Sequence, residues 1–152
     1  MHAGLVACTG ASGCKFAAAF TKEDAIRIAD HVDARLVLDQ PVNVHVTGCH
    51  HSCAQHYIGD IGLIGAKVPV SDEGDTVEGY DLVVGGGFAD TAKIGRVLWK
   101  GIKAEDAPQY VENLLRAWVD NRSDARESFH AFANRHEDTA LLSLAGTVEN
   151  VE

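Results

Sequence analysis

Four cysteines are the residues of this chain best equipped for chemistry, and they come as two pairs. The spacing is Cys8-x5-Cys14 and Cys49-x3-Cys53, with 34 residues between the pairs. Four thiolates suit a tetrahedral zinc ion or an iron–sulfur cluster. Structural zinc sites usually separate a pair by two to four residues, which makes a rigid knuckle. A spacing of five is wide for that, whereas a cubane spreads its ligands over four iron corners. Spacing therefore favours a cluster and leaves zinc open. Gly10, Gly13 and Gly48 leave room beside the thiols for cluster sulfides and for backbone N–H groups turned toward them. The plainer reading is four unrelated buried thiols, since cysteine is an ordinary core residue.

The composition narrows the setting. The 152 residues are the length of one domain, 46% are apolar and 23% charged. Such a chain is neither disordered nor collagen-like, and it can bury a core without disulfide staples. Thirteen Lys and Arg against 22 Asp and Glu give a net charge of −9. That sign argues against nucleic acid or an anionic membrane as partner, because both need basic patches. No apolar run reaches the ~18–20 residues of a membrane span. No basic stretch followed by an apolar one marks a signal peptide, so the expected compartment is the cytoplasm. Cysteines in such a chain favour metal binding over disulfides.

The paired cysteines need elements to position them. Leu5-Val6-Ala7 reads as a short strand that stops at Cys8, and residues 9–13 as a small-residue loop. Residues 15–20 are Ala-rich and read as a helical turn. Thr21 reads as a helix cap, with Asp24 three residues on in the position of a capping acid. Ala25, Ile26, Ala29, Val32 and Leu36 then recur at helical spacing. Val42, Val44 and Val46 alternate with Asn43, His45 and Thr47, the period of a half-buried strand running into Gly48-Cys49. Residues 49–55 form a compact loop or turn. Residues 58–70 read as a strand carrying Gly59, Gly62 and Gly65, a density that implies close approach of something bulky to the backbone. Tyr80 to Val84 is a further strand, ending in Gly85-Gly86-Gly87. Two helices follow. One covers about residues 105–121, with Ala107, Val111, Leu114, Leu115 and Trp118 on one face. The other covers about residues 124–136, with Phe129 and Phe132 inward. Residues 138–152 are weakly patterned and read as a flexible tail, which leaves one domain over residues 1–137. The order predicts an α+β fold, with one mixed or antiparallel sheet and flanking helices. Two strands ending at the same edge of that sheet would bring the four thiols together.

The segment Cys8-Thr9-Gly10-Ala11-Ser12-Gly13-Cys14-Lys15-Phe16-Ala17 resembles the first cluster motif of the siroheme-dependent nitrite and sulfite reductases. Gly48-Cys49-His50-His51-Ser52-Cys53-Ala54-Gln55 resembles the second. Gly59-Asp60-Ile61-Gly62-Leu63-Ile64-Gly65, the triple glycine, Ile94-Gly95-Arg96, Tyr110-Val111-Glu112 and Arg126-Glu127-Ser128-Phe129 extend the likeness over about residues 3–137. The resemblance implies a 4Fe–4S cluster held by Cys8, Cys14, Cys49 and Cys53. It also implies that the Cys53 thiolate bridges the cluster to the iron of siroheme, which makes Cys53 the catalytic cysteine. The implied activity is six-electron reduction of nitrite to ammonium, or of sulfite to sulfide, with electrons from a carrier such as ferredoxin. Cys8-Thr9-Gly10 with Lys15, Ser52 to Gln55 and Asp60 to Leu63 look closer to the nitrite branch. Thr9, Gln55 and Arg96 are the further candidates for contact with siroheme. Their plainer roles are a turn, a surface or capping residue, and a surface salt bridge.

Two departures from the family pattern stand out. His50 and His51 occupy positions where the family usually has Pro-Asn. They read as tolerated loop residues, with a proton relay at His51 as the sharper alternative. The chain is also several times shorter than the family's enzymes. The amino-terminal half that brings most of the cations for siroheme and substrate is missing, so this chain reads as a carboxy-terminal fragment or split piece. The alternative function is a non-catalytic iron–sulfur or zinc module that needs a partner chain. A nucleotide site at residues 85–87 is disfavoured, because neither a G-x-G-x-x-G pattern nor a P-loop lysine is present. Trp99 and Trp118 read as packing residues.

Overall fold

The structure is a computed structural model that describes residues 1–146. Its elements in order are β1 (Leu5–Ala7), α1 (Thr21–Asp33), β2 (Val44–Thr47), β3 (Ile61–Pro69), β4 (Thr76–Val84), β5 (Arg96–Lys103), α2 (Ala107–Asn121), α3 (Phe129–Arg135) and α4 (Asp138–Ala145). The five strands form one sheet in chain order. β1 runs parallel to β2, and β2 parallel to β3. β3 with β4 and β4 with β5 are antiparallel. The sheet is therefore mixed and the class α+β, as the sequence pattern predicts. α1 is the crossover that parallel neighbours require. No helix among the described residues is long and apolar enough to cross a membrane.

The apolar faces of α1 and α2 close over the sheet. Ile28 and Val32 meet Val44, Val46, Leu63 and Leu82 in one core with Leu114, Leu115 and Trp118. The inward face expected for the 105–121 helix is the buried one, from Ala107 through Trp118. Phe129 and Phe132 are also inward, although that helix is shorter than the expected 124–136 and starts after Ser128. The Ser128 hydroxyl accepts from the Ala131 N–H at 3.1 Å, an N-cap that sets the start.

Four expectations change. β2 is not half-buried: all four residues are buried, because it lies between two strands and its polar face is also covered. Thr21 is the first residue of α1 rather than its cap, and its hydroxyl donates to the Cys8 carbonyl at 2.8 Å. Ile26 points to solvent, and Ile28 takes the core position. β5 is a strand that the alternation does not reveal, since register shifts lie opposite it and Gly101 has φ +63°.

The expected tail also changes. Residues 138–145 form α4, which packs on α2 and buries Leu141. Residues 147–152 lie outside the described residues.

One buried charge cluster ties α1 to α2. Glu112 accepts from His31 Nε2 at 2.7 Å and from Arg116 at 2.6 Å, with Arg35 at 3.8 Å and Gln109 at 3.2 Å. Burial alone would raise the Glu112 carboxyl, but the Arg116 and His31 donors outweigh it and hold it below the ordinary glutamate value. A carboxyl lowered by folding stabilises above its unfolded pKa and loses that stabilisation as pH falls through its native one. Stability of the natural chain is therefore expected to fall more steeply between about pH 5 and pH 3 than that of Glu112→Gln. Urea unfolding across that range checks it, and parallel profiles would count against the ion cluster.

Candidate metal centre

The parallel register puts the carboxyl ends of β1 and β2 side by side, with Ala7 opposite Val46. Cys8 follows directly on β1, and its N–H donates to the Val46 carbonyl at 3.1 Å. Cys49 follows β2 after one glycine. Each strand then turns into a tight loop carrying the second cysteine. Cys14 N–H closes on the Gly10 carbonyl at 2.9 Å, and Ser52 N–H on the Cys49 carbonyl at 3.1 Å. Ala18 N–H donates to the Gly48 carbonyl at 2.8 Å and joins the two loops.

All four cysteines are free thiols. Together they line a single cavity of about 280 Å³, along with Thr9, Gly13, Ala17, Thr47 and Gly48. Among the described residues no three His, Cys, Asp or Glu side chains converge closely enough to share one ion. The thiols surround a space instead of meeting at a point. That arrangement suits a polynuclear group whose metals sit at separate corners.

The thiols are not equivalent. Burial alone would push the Cys8 thiol up. The hydrogen-bonding groups around it, led by the Thr21 hydroxyl and the Gly48 N–H at 3.2 Å, outweigh burial and hold it below the ordinary thiol value. Cys53 is the exposed thiol of the four. His51 Nδ1 stands 3.4 Å from Cys49 Sγ, and its ring leans on Phe16 from the other cysteine loop, with centroids 5.2 Å apart. His51 thus stands between Cys49 and the first cysteine loop. Burial, with the nearby His50, holds His56 below the ordinary histidine value, and Ser52 Oγ meets His56 Nδ1 at 2.7 Å.

The glycines are closely approached, as their density implies. What approaches Gly62 and Gly65 is the chain itself. A Cβ at Gly62 would stand 1.9 Å from the His56 carbonyl oxygen, and one at Gly65 2.5 Å from that of Gly48. Gly86 lies against the Tyr57 and Gly59 carbonyls. Gly62, Gly65 and Gly86 are the bed on which the segment of residues 48–59 rests. His130 Nδ1 meets the Gly86 carbonyl at 2.8 Å and holds that bed from α3.

Of the expected cofactor contacts, Thr9 lines the cavity. Gln55 stands on its own loop turn, exposed, with φ +55°. Arg96 does not join them. Its guanidinium bonds Asp138 at 2.5 Å and the carbonyls of Ala133 and His136 at 2.9 Å, clasping β5 to α3 and α4. It takes the salt-bridge role weighed as its alternative, reinforced by two carbonyls.

Sequence reasoning missed His45 and Thr47, whose side chains reach the second loop, and it misread Thr21. The available signal was the pair of polar residues in Val44-His45-Val46-Thr47, a strand leading straight into Cys49.

Comparison with known proteins bears on the same residues. A family model described as the nitrite and sulphite reductase 4Fe-4S domain matches residues 2–135. The ferredoxin–nitrite reductase of Synechococcus elongatus is 44% identical over 112 residues, which are 74% of this chain and 22% of that protein. A ferredoxin sulfite reductase of Mycolicibacterium paratuberculosis is 32% identical over 142 residues, 90% of this chain and 25% of that one. The structure of the Mycobacterium tuberculosis NirA protein superposes with a TM-score of 0.81 at 31% identity, covering 91% of this chain and 26% of its own. The chain spans about a fifth to a quarter of the length of the curated relatives it matches.

Proposed function

Because the chain belongs to the nitrite and sulphite reductase 4Fe-4S domain family, we propose that Cys8, Cys14, Cys49 and Cys53 hold a 4Fe–4S cluster in the cavity they surround. The observation that carries this reading is the convergence of four free thiols from two loops on one space. A bound cluster would supply one-electron transfer, and siroheme beside it an iron at which an oxyanion is reduced.

The chain's own residues set the terms. Thr21 and Gly48 keep Cys8 disposed to the thiolate form that ligation needs. Cys53, the exposed thiol, would be the one to bridge outward to siroheme, with Thr9 of the cavity wall and Gln55 as the further candidates for contact with it. The cations for siroheme carboxylates and for the substrate must come largely from elsewhere, because Arg96 is engaged with Asp138 and the chain carries a net −9. The relatives' additional length is where we place them.

The proposed activity of the assembled protein is six-electron reduction of nitrite to ammonium, with a ferredoxin as donor. The 44% identity to a ferredoxin–nitrite reductase supports nitrite. Sulfite reduction is the second reading, supported by a similarity that runs over 90% of this chain.

Anaerobic reconstitution with ferrous iron and sulfide tests the cluster. The expected product is brown, with about four irons and about four sulfides per chain. Zinc at one per chain with no visible absorption would overturn it and leave a zinc module. Siroheme added to the iron-loaded protein, together with the cation-bearing remainder of the enzyme, is expected to stay bound through desalting, and to be lost in Cys53→Ala. Equal siroheme binding by both would remove the bridging role.

A further inference from the structure

Two polar side chains on one face of β2, His45 and Thr47, are almost fully buried, at 8% and 0% exposure. A buried polar group is costly unless it is bonded, so its partners are informative. His45 Nδ1 lies 2.8 Å from the Ala54 carbonyl and 3.2 Å from that of Gln55. Both partners are acceptors, so Nδ1 carries the proton and donates. Thr47 Oγ1 accepts from the Ala54 N–H at 3.2 Å. One residue, Ala54, is therefore gripped by its amide and its carbonyl from positions i and i+2 of a single strand.

The gripped segment is one that resists its own conformation. Ser52 has φ +54° and Gln55 φ +55°, left-handed values that non-glycine residues avoid at a cost of about 1 kcal/mol each. Cys53 and Ala54 lie between them. Such strain persists only where the surroundings over-determine it. The ring that does the gripping is itself seated: a Cβ on Gly59 would come within 3.0 Å of two His45 ring atoms.

We propose that His45 and Thr47 are positioning residues that clamp Ala54 and so fix the stance of the Cys53 thiol at the cavity. What Cys53 then holds rests on the cluster reading above, whereas the clamp does not. The clamp explains why polar residues tolerate burial on a central strand. It also explains how a strained turn can end in an exposed yet defined thiol.

Amide exchange followed by NMR on the full metal-free chain tests the clamp directly. Thr47→Val, nearly isosteric, and His45→Ala are each expected to speed exchange at Ala54 about tenfold, the worth of one hydrogen bond. Core amides such as Leu63 and Leu82 keep their protection. His45→Asn, whose side-chain N–H can stand in for Nδ1–H, is expected to restore Ala54, and it also serves if His45→Ala fails to fold. Ala54 exchange unchanged in Thr47→Val, or rising there only in step with Leu63, would overturn the clamp.

Iron loading separates the two claims. If the natural chain takes up no iron while Ala54 still responds, the cluster reading falls and the clamp stands. If the natural chain loads, Thr47→Val is expected to load less iron or to show an altered paramagnetic signal. Full loading with an unchanged signal would overturn the link to Cys53.

Discussion

Cys8→Ala is expected to keep its fold and lose its iron, from about four per chain to below one after reconstitution. Cys8 is the thiol whose surroundings do most to prepare it. It follows β1 directly, its backbone is fixed by Val46 and Thr21, and its sulfur receives the Gly48 N–H. Net donation holds it below the ordinary thiol value despite burial. A thiolate is the ligand form, so this site offers a prepared anchor. Alanine removes that anchor and leaves three thiols around a cavity built for four. The side chain lies outside the hydrophobic core, so melting should fall by only about 2–4 °C, on the order of one lost hydrogen bond. Iron assay, visible absorption and a thermal melt on the same sample decide it. A variant that binds a full complement of iron would show that Cys8 is not a ligand.

Gly62→Ala acts on the fold and the site together. The new Cβ would meet the His56 carbonyl oxygen at 1.9 Å and its carbon at 2.8 Å, both backbone atoms that no rotamer change can move away. Gly62 is paired to His45 on one side and Val83 on the other, so β3 cannot retreat without breaking two ladders. The His56 loop must move instead, and it carries Cys49 and Cys53. The expected cost is about 3 kcal/mol or more, above the usual range for overpacking because backbone is struck. For a chain of this length that is a fall of about 6–12 °C in Tm. Iron uptake should weaken even below the melting transition. A melting point within about 2 °C of the natural chain would mean the loop yields easily, and the account of β3 as its bed would be wrong.

These two positions show different degrees of legibility. Cys8 could be singled out by residue type and by its distance from Cys14, both local properties. Gly62 could be noticed but not explained. The glycine density at residues 59–65 implies close approach of something bulky, and what approaches is the chain itself: the His56 backbone at Gly62, the Gly48 backbone at Gly65 and the His45 ring at Gly59. Helix α2 was readable because its inward residues keep a clean period of 3.6 and nothing interrupts it. β5 was not, because pairing to β4 slips between Tyr80 and Val83 and the strand bends at Gly101, which destroys the period of two. α4 escaped notice because it buries only Leu141 and Ala145, too few residues to make a pattern. Its place is set by α2 and by the Asp138 bond to Arg96.

By itself the sequence determined the chemistry on offer: four thiols in two short loops, each loop closed by hydrogen bonds between near neighbours in the chain. Only the tertiary structure decided the roles of the residues around them. It turned Arg96 away from the thiols and onto α3 and α4, moved Thr21 from a cap to a support for Cys8, and enlisted His45 and Thr47 to hold the Cys53 loop. The physical reason is range. Cysteine spacing acts through a few intervening bonds. What a polar side chain on a strand will meet depends on strands and loops folded against it from far along the chain, and those partners exist only once the sheet has closed.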